Sequence, residues 1–387
     1  MKLQSLYKVD INGNMLGWRT WTEDNEVFTR HGRLDGQMQE DSYIVYDGTN
    51  IGKSNERDEF EQADFEAEAK WKRQVKYRGY FESQKEALNS GENTSFGALK
   101  PMKAQRWKDQ KHKLCYPLFL QPKLNGLRCI AVSDETNHVR LFRSGGKEIK
   151  HFKHIQCELH QLMGPNEILD GELYEHGTPL SVISGIVRAE VNVKDESVLK
   201  TIKFYIFDAP KISAYGLDKT FAIRYEQLHM MYEDYSPFKY LSLVRNEFCR
   251  NEEIAELTYK RYVKRGYEGC MYRMINMRYL PGKRSYEIQK RKDFMDEEFK
   301  IVGANQGKGR AGGMAISFTC KRFANEMGHD VTFEVPMNGP TKYLRKLWNN
   351  EYMWIGKWLQ TRFLNYTLYG KPEIPKGLQI RDRVGED

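Results

Sequence analysis

An α+β fold in three segments is predicted by three observations. Residues 1–90 open with short alternating runs separated by Gly, Asn and Asp, and residues 296–387 repeat that texture, the pattern of strands joined by turns. Residues 96–295 mix apolar, strand-like runs with segments of helical spacing, without regular strand–helix alternation. The polar run from Gln84 to Ser95, with Asn89, Ser90, Gly91 and Asn93, reads as the first linker.

In the first segment, Leu6-Tyr7-Lys8-Val9-Asp10-Ile11 and Ser42-Tyr43-Ile44-Val45-Tyr46 have strand character. Asp64 to Val75 reads as a helix, because its acidic start and basic end complement the helix dipole. In the middle segment, strands are expected over Arg128 to Val132, Val139 to Phe142, Ile202 to Phe207 and Gly269 to Tyr272. Helices are expected over Tyr225 to Tyr235 and Glu252 to Arg265. The last segment carries Phe299 to Gly303, Ala315 to Cys320 and Val331 to Val335, several short strands that suit a small barrel such as an OB-fold.

At 387 residues the chain has room for two or three domains. With 40% hydrophobic and 29% charged residues it is globular rather than disordered. Apolar runs fall short of the ~20 residues of a membrane span, and the N-terminus lacks a signal-peptide core, so a cytoplasmic protein with no membrane partner is expected. The six cysteines are scattered without a Cys-x-x-Cys pair, which argues against a zinc or redox motif. The formal charge of +8 fits a polyanionic partner.

The chemistry concentrates around Lys123-Leu124-Asn125-Gly126-Leu127-Arg128. Downstream follow, in order, Arg143-Ser144-Gly145-Gly146, Leu169-Asp170-Gly171-Glu172, Phe204-Tyr205-Ile206-Phe207-Asp208, Glu268-Gly269-Cys270-Met271-Tyr272-Arg273 and Lys290-Arg291-Lys292. Each block has a task if a nucleotide sits among them. A lysine nucleophile must lose its proton, which nearby cations such as Arg128, Lys290 and Lys292 favour. Attack at phosphorus needs its charge neutralised, by lysines and by a divalent metal on the carboxylates Glu268 and Glu172. Phe207 offers a ring face to a base. Taken singly, these blocks have plainer readings: Asp170-Gly171 suits a hairpin turn, Phe207 a core position, and Lys290-Arg291-Lys292 a solvated charge run.

As an ordered set, the blocks resemble the covalent nucleotidyltransferases, and residues 96–387 look like an ATP-dependent DNA ligase: a nucleotidyltransferase domain with ATP-grasp-like antiparallel sheets and helices, then an OB-fold barrel. The resemblance implies nick sealing through a lysyl-AMP intermediate, with ATP and Mg2+ or Mn2+ as cofactors and nicked double-stranded DNA as partner of a monomer. Such an enzyme serves DNA replication, repair and recombination. It implies Lys123 as the adenylylated nucleophile, Gln121 at the adenine edge, Arg128 and Arg143 on phosphate, Glu172 on the ribose and Phe207 stacking on adenine. Glu268 would bind metal, and Lys290 and Lys292 the α-phosphate.

Two departures stand out. Asn125 occupies the family's aspartate position, which removes a charge from any metal–water shell there. The C-terminal Arg-x-Asp-Lys motif is matched only by Ile380-Arg381-Asp382-Arg383, with Arg381 its best candidate. Residues 1–90 resemble a WGR domain in Phe28 to Gln37, the Asp64–Val75 helix and Lys76 to Tyr80, with His31 in place of the tryptophan. That likeness implies Arg30 and Arg33 on DNA phosphates, with His31 and Trp18 or Trp21 free to stack; a ribbon whose aromatics form its own core is the alternative. Lys308 and Arg310 are further candidates for DNA contact. An mRNA capping guanylyltransferase and a catalytically disabled DNA-binding adaptor remain the rival readings.

Overall fold

The computed structural model describes residues 1–10, 13–89, 100–189, 196–212, 219–323, 330–367 and 369–382. The chain divides into two compact units, Met1–Gly91 with Phe294–Asp387, and Glu92–Asp293.

The chain opens with a four-stranded antiparallel meander: β1 (Leu6–Val9), β2 (Met15–Glu23), β3 (Glu26–Arg33) and β4 (Met38–Ile44). Helix α1 (Glu59–Arg78) lies across it, longer than its sequence signal at both ends. Its start is fixed by a capping box between Asp58 and Glu61, and its end by Gly79 in the left-handed conformation. Ala63 and Ala67 let the helix approach Val27 and Val45 closely. The Gln84–Ser95 run is not wholly a linker: Gln84–Asn89 forms α2, started by the Ser83 hydroxyl accepting from the Glu86 amide.

The middle unit consists of two sheets. The first strands are β5 (Lys103–Arg106), β6 (Leu118–Lys123), β7 (Leu127–Ser133), β8 (Val139–Arg143), β9 (Glu148–Ile149) and β10 (Ile168–Tyr174). They are followed by β11 (Lys203–Lys211), β12 (Leu241–Leu243), β13 (Glu247–Cys249), β14 (Gly269–Met274) and β15 (Arg284–Arg291). The six-stranded sheet runs β12-β11-β10-β7-β8-β9 and the five-stranded sheet β13-β6-β14-β15-β5. Between them fall α3 (Trp107–Gln110), α4 (Lys153–Leu162), α5 (Leu180–Arg188), α6 (Glu196–Leu199), α7 (Phe221–Tyr235) and α8 (Glu252–Lys264).

Strand β7 shows how the layers form. Cys129 and Ala131 pack with the helices α4 and α5, whereas Ile130 and Val132 pack with Met277, Tyr279 and Ile288 around the five-stranded sheet. A strand buried on both faces reads as a continuous apolar run, which Cys129 to Val132 is. The other face of the five-stranded sheet, with Leu118, Leu120, Cys270 and Tyr272, packs on Ala255, Tyr259 and Tyr262 of α8.

The plainer reading of Asp170-Gly171, a hairpin turn, does not hold. Both lie inside β10, where Asp170 pairs with Ile130 on one side and Asp208 on the other. Both aspartates are buried, and three arginines compensate them. Arg128 grips Asp170 with two nitrogens; Arg224 grips Asp208 at 2.8 and 3.0 Å; Arg273 adds a contact to Asp208 at 3.1 Å. Tyr279 donates to Asp170 at 2.6 Å. A turn dipeptide became mid-strand because buried partners, 42 and 109 residues away from Asp170, outweigh local turn preference.

The last strands are β16 (Met295–Gln306), β17 (Ala315–Arg322), β18 (Val331–Pro336), β19 (Trp358–Phe363) and β20 (Lys376–Arg381), with α9 (Thr341–Asn349) between β18 and β19. Their order is β18-β17-β16-β19-β20, all antiparallel. The sheet curls until its edge strands β18 and β20 meet, around a core of Phe299, Phe318, Val335, Leu359 and Phe363. This sheet shares its compact unit with the first one. The Tyr46 amide donates to the Gly309 carbonyl at 3.3 Å, Gln306 donates to Asp47 at 3.2 Å, and the Arg345 guanidinium lies 4.2 Å from the Tyr46 ring centre.

Asp208→Asn is expected to destabilise the protein by about 3–5 kcal/mol in urea denaturation at neutral pH, because two buried guanidiniums lose their counter-charge. Burial raises the Asp208 pKa, but Arg224 and then Arg273 outweigh it, so it lies below its ordinary 3.8. The contribution is therefore complete above pH 3.8 and is lost as pH falls through the lower folded value, closing the gap between wild type and variant. Equal midpoints at neutral pH would show that the network carries no stability.

Candidate active site

The site is built on the strand period of two. On β6, Leu118 and Leu120 face the α8 side, which puts Phe119, Gln121 and Lys123 on the face opposite. At the end of β15, Lys290 and Lys292, the residue just beyond the strand, likewise share one face and Arg291 takes the other. From the six-stranded sheet, Arg128 on β7 stands opposite Glu172 on β10, on the face of Ile130 and Ile168. The cleft between the sheets thus collects Gln121, Lys123, Arg128, Glu172, Lys290 and Lys292.

Lys123 ends β6, and its ammonium contacts Glu268, which immediately precedes β14. The other Glu268 oxygen accepts from Lys292 at 2.7 Å. Burial raises the Glu268 carboxyl, yet the two ammonium groups outweigh it and hold the pKa below its ordinary value. Glu172 shows the reverse balance: burial pushes its carboxyl up, only partly offset by Lys123, the Gly126 amide and Arg128. Lys290 is pulled below the usual lysine range by burial and then by the like charges of Lys123, Lys292 and Arg284.

The loop after Lys123 is held by Glu172, which accepts from the Gly126 amide at 2.9 Å. A Cβ at Gly126 would meet the Leu173 carbonyl oxygen at 2.4 Å, so only glycine brings this loop so close to β10. Phe207 sits at a β-bulge, between the pairs Asp170–Asp208 and Gly171–Ile206. The Arg128 and Arg273 guanidiniums lie 4.8 and 5.2 Å from its ring centre. Gln121 is buried, and its amide donates to the Phe207 carbonyl at 3.1 Å and the Val244 carbonyl at 3.5 Å. Its Oε1 is buried without a hydrogen-bond partner.

Other expected residues lie apart from this cluster. Arg143 ends β8, where alternation places it with Val139 and Leu141 rather than with Arg128. Arg381 ends β20 in the other compact unit, donating to Glu298 at 3.1 Å. Arg383 lies outside the described residues. Arg30 is exposed on β3 opposite Glu40, and Arg33 is paired with Asp35 at 2.8 Å. Trp18 and Trp21 are not free to stack on a ligand: both are buried, and Trp21 stacks on Phe28 at 5.2 Å. Lys308 is exposed just before the Gly309–Ala311 turn that holds Arg310, whose side chain lies outside the description. Asn125 lies in the loop between β6 and β7.

Sequence reading missed Asp170, Asp208, Arg224, Arg273 and Tyr279 as a supporting network. The available signal was a charged residue inside each of two apolar strands, Leu169-Asp170 and Phe207-Asp208.

Residues 101–292 match the family described as ATP dependent DNA ligase domain. This stretch is an ATP-dependent DNA ligase domain. Among curated relatives, the chain is 27% identical over 307 residues to a DNA ligase of African swine fever virus, covering 76% of this chain and 68% of the relative. It is 22% identical over 319 residues to the DNA ligase of phage T4, covering 69% of this chain and 65% of the relative. Among solved structures, a Lig E DNA ligase aligns with a TM-score of 0.58 at 21% identity, covering 73% of this chain and 98% of that one. The structure named Pmar-Lig_Pre aligns with a TM-score of 0.62 at 17% identity, covering 77% and 72%. At such identities the structures carry the fold, and it is the ligase fold named from the sequence. The Lys123 and Glu268 cleft lies within the matched ligase domain.

Gly126→Ala tests the ligase domain's loop. The added methyl must push Lys123's loop off β10, with an expected loss of about 1–3 kcal/mol. Thermal unfolding should report it, and unchanged stability would show that the loop has room.

Proposed function

We propose that this chain is an ATP-dependent DNA ligase that acts as a monomer and seals 5′-phosphate/3′-hydroxyl nicks in duplex DNA through Lys123. The observation that carries the reading is Lys123 at a strand end, its ammonium on Glu268, with Lys292 on the same carboxylate. In the first step the Lys123 amine attacks the α-phosphorus of ATP; a P–N bond forms and the P–O bond to pyrophosphate breaks. The AMP then passes to the 5′-phosphate at the nick, which frees the lysine. The 3′-hydroxyl finally attacks that phosphate, and AMP leaves.

An ammonium cannot attack, so the resting pair must open before the first step. Glu268, held below its ordinary pKa by the two ammonium groups, is the partner that must be displaced. An incoming polyphosphate competes for Lys292 and Lys290, and so loosens that pairing. The buried Gln121 Oε1, without a partner, suits an exocyclic amine of adenine. Phe207 is itself buried, with Arg128 and Arg273 at its ring, and would have to be uncovered to stack on the base.

Glu268 and Glu172 are hard oxygen donors of the kind magnesium takes, and the Glu268 charge adds to burial in pushing the Glu172 carboxyl up. Among the described residues no group of three or more His, Cys, Asp or Glu gathers to hold a metal. Magnesium commonly binds one or two carboxylates together with substrate phosphates. The ion supplies charge neutralisation at the α-phosphate when bound.

On DNA, Arg30, Arg33, Lys308 and Arg310 would contact phosphates, with the first sheet acting as a WGR-like module. Arg33 would have to exchange Asp35 for phosphate. Arg143 and Arg381 would engage phosphate once substrate and the pyrophosphate leaving group are in place.

The decisive test is intact mass after incubation with magnesium and ATP, GTP or NAD, on protein first stripped with pyrophosphate. An AMP increment from ATP alone, absent in Lys123→Ala, is expected. A GMP increment would move the chain to capping, and no increment would favour a disabled adaptor. Glu268→Ala should abolish the magnesium dependence of the remaining activity; an unchanged dependence would remove Glu268 from the metal.

A further inference from the structure

Lys290, Arg291 and Lys292 look like one charge run, but the strand splits them. Lys290 and Lys292 face the cleft, and Arg291 turns to the opposite side, beneath α8. There its guanidinium lies 4.2 Å from the Trp107 ring centre and 3.7 Å from that of Tyr259. Both terminal nitrogens bond Glu256 of α8, one of them at 3.3 Å, and one also donates to the Tyr272 hydroxyl at 3.3 Å. A sandwiched, bidentate arginine has one orientation, unlike a solvated lysine. The same stretch is pressed against the residue after Glu268, because a Cβ at Gly269 would meet the Arg291 carbonyl oxygen at 2.0 Å.

We propose that Arg291, held by Glu256 and the Trp107–Tyr259 sandwich, is a positioning residue that sets the reach of Lys290 and Lys292 toward Lys123 and the α-phosphate. Alternation ties the Cβ directions of neighbours together, so an Arg291 held on one face holds the backbone from which the lysines on either side leave the other. With Lys292 bonded to Glu268, which in turn meets Lys123, a small shift of β15 moves both lysines and, through Lys292, the carboxylate beside the nucleophile. The inference rests on the ligase reading above.

The test uses the full chain, stripped with pyrophosphate, and follows AMP-adduct formation by intact mass in single turnover across ATP concentration. Arg291→Met is expected to lower the maximal rate about tenfold or more, in line with loss of an outer-shell partner, while half-saturating ATP moves far less. Glu256→Gln acts in the same direction. Arg291→Lys recovers only part of the rate, since it keeps the charge and loses the fork.

Wild-type maximal rates in Arg291→Met and Glu256→Gln would overturn the proposal. A rate that falls only in step with the folded fraction, or a half-saturating ATP that rises as much as the rate falls, would overturn it too, leaving Arg291 a purely structural residue. Should Arg291→Met fail to fold, Glu256→Gln decides, because Glu256 is half-exposed on α8. Wild-type protein that forms no adduct would overturn the ligase reading itself.

Discussion

Asp170 and Asp208 stand directly opposite each other on adjacent antiparallel strands, both buried. Like charges in that relation are among the least favourable cross-strand pairs, and the middle unit is arranged around relieving it. Arg128, Arg224 and Arg273 come from three separate elements to meet the two carboxylates, and Tyr279 comes from a fourth segment. Removing any partner would leave a charge buried and uncompensated, which costs far more than the pair contributes. The network therefore fixes relative positions more than it adds stability. It locks β10 and β11, and with them Glu172, two residues beyond Asp170, and Phe207, immediately before Asp208.

The second constraint is the division of labour between strand faces. Strands β6, β14 and β15 give one face to the core beneath α8 and the other to the cleft. Leu118 and Leu120 anchor the strand that ends in Lys123, and Arg291 anchors the one that carries Lys290 and Lys292. A reactive ammonium on a strand end inherits the rigidity of the packed face behind it. The loop beyond Lys123 leaves that sheet, and there buried Leu124, the close approach of Gly126 and the Glu172 carboxylate supply the restraint instead.

Much of this was legible in the sequence where the signal is local. Short apolar runs located β7, β8 and β14, and of the charged blocks from Lys123 to Lys292 all but that of Arg143 meet around one cleft. What escaped was set by distant partners. Asp170-Gly171 has every local mark of a turn, yet Arg128, 42 residues away, and Tyr279, 109 away, draw it into a strand. Arg291 reads as a solvated cation until Glu256, 35 residues away, and the Trp107 ring are placed around it. Trp18 and Trp21 could have served a ligand or a core, and composition alone does not choose; packing against Phe28 did. Arg33 offers a free charge on paper and finds Asp35 two residues on.

The partition of the chain joins its two ends. The first and last segments form one compact unit, so the chain passes between units twice, once after Gly91 and once before Phe294. Within that unit the Tyr46 backbone is bonded to Gly309 and its ring is covered by Arg345. Gln306 reaches Asp47 across 259 positions of sequence. Neither end segment is therefore packed by its own local pattern alone, and a run of residues read by itself cannot show that the two belong to one body.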